Sequence, residues 1–114
     1  EPVSQHMYIV VRTDLPIAVQ CVQSGHAILE VARTCFPNLT THPSMVIVGV
    51  KNEAQLKKTI TALVENGKIP FAAFREPDRN NEYTALATIP LSGKDRDFFK
   101  KYQLIKGVSS AKTE

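Results

Sequence analysis

Three groups of residues carry side chains able to do chemistry. The densest is FREPDRNNEY, residues 74–83, which sets Arg75, Glu76, Asp78, Arg79 and Asn80 between two apolar segments. Glu76 or Asp78 can orient or deprotonate a water, while Arg75 and Arg79 can hold an anionic group or lower a carboxylate pKa. The same composition also makes a polar hairpin loop, for which Pro, Asp and Asn are standard ingredients. Asp14 closes an apolar run at the point where a helix can start. There a carboxylate serves either catalysis or the capping of free helix N–H groups. Gln23 and His26 form the third group, one helical turn apart. His26 reads as a proton carrier, a ligand contact or an amphipathic residue packed at the sheet edge. Ser24 and His26 do not make a nucleophile–base pair, because residues two apart on a helix point about 200° away from each other.

The elements that must position these residues follow from periodicity. MYIVVRTDL is a β-branched apolar run closed by a polar tripeptide, as expected for a first strand covered on both faces. Pro16 suits the first turn of a helix, and the helical period continues from Ile17 to Cys35. Steps of about 100° put Ile17, Ala18, Cys21, Val22, Gly25, Ile28, Leu29 and Ala32 on one face, the expected core face. Gln20, Gln23, Ser24, Glu30 and Thr34 fall on the other, with His26 and Arg33 at the boundary. FPNLTTHPS is a loop and MVIVGV a second buried strand. Asn52 with Gln55 forms a capping-box pattern at the start of a helix that Gly67 ends. IPFAAF and YTALATIP are a third and fourth strand. Ser92 with Asp95 opens a last amphipathic helix, whose Phe98, Phe99 and Tyr102 can face the sheet.

The fold class is therefore α/β: a single open mixed sheet of about four strands flanked by helices, in the order β-α-β-α-β-β-α. Ligands of such sheets bind beyond the carboxyl ends of strands. Asp14 and the segment from Arg75 to Asp78 both sit at such ends.

Composition limits the function classes. The 114 residues suffice for one domain, expected over 7–106, with 1–6 a leader ahead of Met7 and 107–114 a flexible tail. No run approaches the roughly 18 apolar residues of a membrane span, so no membrane partner is expected. Cys21 and Cys35 share one helix, about 21 Å apart along its axis, which rules out a disulfide between them. Both read as small core hydrophobes, and the chain as cytoplasmic and metal-free. There is no GxGxxG, no Walker-type loop and no GxSxG. The formal charge is +3, with Lys51, Lys57, Lys58 and Lys68 around one helix and Lys94, Arg96, Lys100 and Lys101 around another.

YIVVRTDL, followed by a helix carrying QSGHA, resembles the archaeal and eukaryotic type of peptidyl-tRNA hydrolase. The matching positions are Val10 to Leu15, then Gln23, His26 and Ala27. The element order matches over most of 7–106, and an FREPD segment resembles small bacterial and phage relatives of that family. Two departures are plain. The family's Lys-x-Gly-Lys-Gly-Lys stretch is replaced by PIAVQCV, with no lysine from Thr13 to Thr34. Its Asp-Ala-Gly-Arg-Thr segment is matched by Glu76, Asp78, Arg79 and Asn80, and a later threonine by Thr84.

The resemblance implies hydrolysis of the ester between a peptidyl or acyl-amino acid and tRNA, without a cofactor. It implies Glu76, Asp14 and His26 as the catalytic group, with Arg12, Gln23, Arg75, Asp78, Arg79, Asn80 and Thr84 at the substrate. The expected partner is tRNA or a nucleotide-containing ligand, and the expected assembly a homodimer. An inactive relative that binds a nucleotide or RNA end in the same cleft is the alternative.

Overall fold

The computed structural model describes residues 5–35 and 42–105. Its elements are β1 (His6–Arg12), α1 (Ile17–Cys35), β2 (Ser44–Val50), α2 (Glu53–Asn66), β3 (Phe71–Glu76), a 3-10 turn (Pro77–Arg79), β4 (Glu82–Thr88), a 3-10 segment (Gly93–Phe99) and β5 (Gln103–Leu104). The sheet runs β3-β4-β1-β2-β5. β1 and β2 are parallel, while β4 runs antiparallel to both β1 and β3, and β5 antiparallel to β2. β1, β2 and β3 therefore end at one rim, where β4 begins. The open mixed α/β sheet is as expected, with a fifth strand of two residues that is too short to show a period. Expectations for the leader, the 36–44 loop and the tail fall wholly or mostly outside the described residues.

Side-chain alternation along β1 builds a core on each face. Tyr8 and Val10 pack with Val48, Val50, Leu56, Leu63, Leu86 and Phe99 beneath α2. Met7, Ile9 and Val11 pack with Ala27, Val31, Ala85 and Ala87 beneath α1. α2 has both expected ends: the Asn52 side chain accepts from the Gln55 N–H at 3.0 Å, and Gly67 turns left-handed at φ 70°. Phe98 and Phe99 do pack on the α2-side core, but from a 3-10 segment rather than an α-helix, and Tyr102 packs there from the bend that follows it. Ser92 makes no side-chain cap there.

Four expectations are corrected. α1 buries Gln23, Ser24, Ala27 and Val31, whereas Ile17, Val22 and Leu29 are 68%, 55% and 66% exposed. The helix is turned by about a third of a revolution from the face its hydrophobicity indicates. The buried face places the Gln23 amide inside, where it bonds Thr84 and Glu76. Cys21 and Cys35 are consequently exposed, not core residues. β2 is only half covered: α1 lies over β3, β4 and β1, so Met45 and Ile47 remain 51% and 43% exposed. Asp14 does not cap α1, because its carboxylate is taken up by Arg12.

Candidate functional site

A β-bulge shapes the site. The β3–β4 register shifts between Phe74 and Arg75, so that Ala85 faces Phe74 but Tyr83 faces Arg75. Thr84 is the extra residue on β4. Two successive residues, Thr84 and Ala85, then turn toward α1, a recurring way of re-aiming a side chain beside a site.

The Thr84 hydroxyl, fully buried, donates to Gln23 Oε1 at 2.6 Å. Gln23 Nε2 in turn donates to Glu76 Oε1 at 2.8 Å. The second carboxylate oxygen of Glu76 accepts the Asp78 backbone N–H at 3.2 Å. A buried hydroxyl on β4, an amide on α1 and a carboxylate at the end of β3 thus form one relay, with each donor matched to an acceptor. The Gln23 bond holds the Glu76 carboxyl below its ordinary value of 4.5, helped by the Asp78 N–H and by the positive fields of His26 and Arg79. The carboxylate is ionised at neutral pH and fixed in direction. His26 lies flat on Phe74, ring centres 4.6 Å apart, which fixes the imidazole beside this carboxylate.

A second cluster occupies the rim. Arg12 grips Asp14 with Nε and a terminal nitrogen, both at 2.9 Å, and reaches Glu82 at 2.9 Å and the Tyr83 carbonyl at 3.1 Å. Four of its five N–H donors are thereby committed. Its side chain is 8% exposed, and its charge is matched by two carboxylates about two-fifths exposed. Asp14 is held below its ordinary value of 3.8, chiefly by the Arg12 bond, with Arg79 contributing more weakly. Arg12 itself is held more firmly protonated than a free guanidinium, first by Asp14 and then, against some desolvation, by Glu82. Arg12 is therefore a buttress for the rim, with little donor capacity left for other partners.

Of the residues singled out from sequence, Gln23, Glu76 and Thr84 are joined directly, with His26 and Arg79 near enough to act electrostatically. Arg12 and Asp14 stand together beside them. Asp78 contributes its backbone N–H. Asn80 is a left-handed turn residue at φ 55°. Arg75 sits 5.2 Å over the Tyr83 ring and donates to the Asn81 carbonyl, away from Gln23. Sequence reasoning missed Glu82, the second partner of Arg12, and Phe74, the platform for His26. The apolar run IPFAAF indicated a strand but gave no hint of which side chain would lie on Phe74.

Among the described residues no group of three metal-ligating side chains is present, and no helix is long and apolar enough to cross a membrane. No family model and no curated protein matches the chain. Its fold is similar to the solved structure of a protein of unknown function from Agrobacterium tumefaciens, with a TM-score of 0.67, 13% identity, and coverage of 90% of this chain and 98% of that one. At that identity the likeness is one of fold.

Proposed function

We propose that the chain hydrolyses the ester joining a peptidyl or acyl-amino acid to tRNA, as the sequence resemblance implies. The observation that carries this reading is the Thr84–Gln23–Glu76 relay, which assembles three separate sequence blocks of that resemblance at the carboxyl rim of the sheet. Glu76, ionised and fixed, orients a water toward the ester carbonyl carbon. His26, stacked on Phe74, takes the proton that the water gives up. The bond between the carbonyl carbon and the ribose oxygen then breaks, and His26 returns its proton to that ribose oxygen. Arg79 faces phosphate. Release of amino acid from N-acetyl-aminoacyl-tRNA tests this: Glu76→Gln is expected to slow it at least about 100-fold, the usual scale for a lost acid–base group. Undetectable turnover by the unaltered protein, or an unchanged rate in the variant, would sink the reading.

A second reading has its own support. No lysine occurs between Thr13 and Thr34, and Arg12 is already committed. A cleft that retains binding of a nucleotide or RNA end without turnover fits those facts, and the same assay separates the two.

The reading includes self-association. Ile17 and Ile47 line one apolar groove with Ile28; Val22, Leu29 and Met45 are further exposed apolar side chains; and α1 has no acidic or basic residue before Glu30 other than His26. At roughly 60–120 Å² per side chain these residues supply on the order of 400 Å², half of the about 800 Å² per partner of a standard interface. An uncharged face can meet its own copy without like-charge repulsion. Sedimentation velocity is expected to show a dimer that Leu29→Lys dissociates; a monomer at all concentrations would refute it.

A further inference from the structure

The two lysine groups of the sequence converge in the fold. Lys51 after β2, Lys58 on α2 and Lys101 ahead of β5 line one cleft of about 560 Å³, on the far side of the sheet order from the Glu76 relay. Gln55, Thr59, Tyr102 and Gln103 complete its polar lining, and no acidic residue lines it. Neighbouring lysines on the same segments are matched: Lys57 pairs with Glu53 at 3.9 Å and Lys100 with Asp97 at 3.2 Å. No such pair forms at Lys51, Lys58 or Lys101 among the described residues.

Three unmatched cations from three segments repel one another, and a concave wall of low dielectric strengthens their common field. An anion relieves both effects. Lysine binds phosphate as a point charge, while planar recognition of a carboxylate favours arginine, which is absent from this lining. The volume falls within the roughly 300–1,000 Å³ of small-ligand sites. A second groove of about 470 Å³ shares Lys51 and Gln103 with the cleft and continues over the end of β2 to Thr13 and Gln20, beside Asp14.

We propose that this cleft binds the phosphates of nucleotide units, carried either by a free nucleotide or by an RNA chain. The inference stands without the hydrolase reading, because it uses no residue of the Glu76 relay. If RNA is the carrier, the groove past Thr13 leads that chain toward the rim.

The test titrates the intact protein with ATP and, separately, with a short RNA oligonucleotide lacking terminal phosphates. Each is measured at several salt concentrations for the unaltered chain, Lys51→Gln/Lys58→Gln/Lys101→Gln, Lys57→Gln/Lys100→Gln, and Glu76→Gln. Three lysine–phosphate contacts predict that log K for RNA falls with log salt at a slope of about −2, or roughly 20-fold between 50 and 200 mM. The triple variant is expected to lose at least tenfold in affinity, while the paired-lysine double variant and Glu76→Gln bind as the unaltered protein does. Binding of ATP alone assigns the cleft to a free nucleotide, and binding of the oligonucleotide assigns it to RNA. The proposal is overturned if neither ligand binds at about 1 mM, if the triple variant binds normally, or if the paired-lysine variant loses as much. Retained binding in a Glu76→Gln protein without turnover would leave the cleft standing while the hydrolase reading fell.

Discussion

The Glu76 relay with the Arg12 rim and the lysine cleft between α2 and β5 handle charge in opposite ways. In the first, carboxylates and guanidinium are matched at 2.8–2.9 Å and bonded to buried polar groups. In the second, three ammonium groups share a concavity without a carboxylate. Matched charges fix directions, which chemistry requires. Unmatched charges attract a ligand from a distance without specifying its pose. Under the proposed readings, orientation of the reacting groups would fall to the β1–β3–β4 side of the rim and capture of phosphate to the β2–β5 side.

The sharpest way to break that contrast is by stability. Arg12→Met should destabilise the fold by about 2 kcal/mol in urea unfolding, less than the 3–5 of a wholly buried pair because Asp14 and Glu82 are partly hydrated. Thr84→Val should cost about 1.5 kcal/mol by the same measure, since it leaves Gln23 Oε1 buried without its donor. Gly49→Ala should cost about 1 kcal/mol, because its new methyl would stand 2.6 Å from the Thr13 side chain and 3.0 Å from Ile105. The triple lysine variant should change stability least, within about 0.5 kcal/mol. A large loss there would mean that those lysines are structural after all.

Acid extends the comparison. Asp14 and Glu76 have folded-state values below their ordinary 3.8 and 4.5, so their stabilisation is complete above about pH 4.5 and is lost as pH falls through the lower folded values. The urea midpoint should fall between pH 5 and pH 2, and Asp14→Asn/Glu76→Gln should flatten that decline. The lysine variant should leave its shape unchanged.

Much of this arrangement was legible in the residues. β1, the capped α2 and the apolar IPFAAF and YTALATIP runs follow from local patterns, and these fix the carboxyl rim that carries Asp14 and Glu76. The face of α1 did not follow: its hydrophobic period tracks Ile17, Val22 and Leu29, which stay exposed, while the buried face carries Gln23, bonded to both Thr84 and Glu76. Nor did the bulge at Thr84, a two-strand property without a local signature. The lysines were visible as two groups, but their meeting depends on β5, whose two residues carry no period.

The most direct test is steady-state cleavage of N-acetyl-aminoacyl-tRNA by the unaltered chain, Glu76→Gln and the triple lysine variant. A division between oriented chemistry and phosphate capture predicts that Glu76→Gln lowers kcat at least about 100-fold with KM nearly unchanged, while the lysine variant raises KM and largely spares kcat. Full turnover by Glu76→Gln, or equal loss of kcat in both variants, would contradict it.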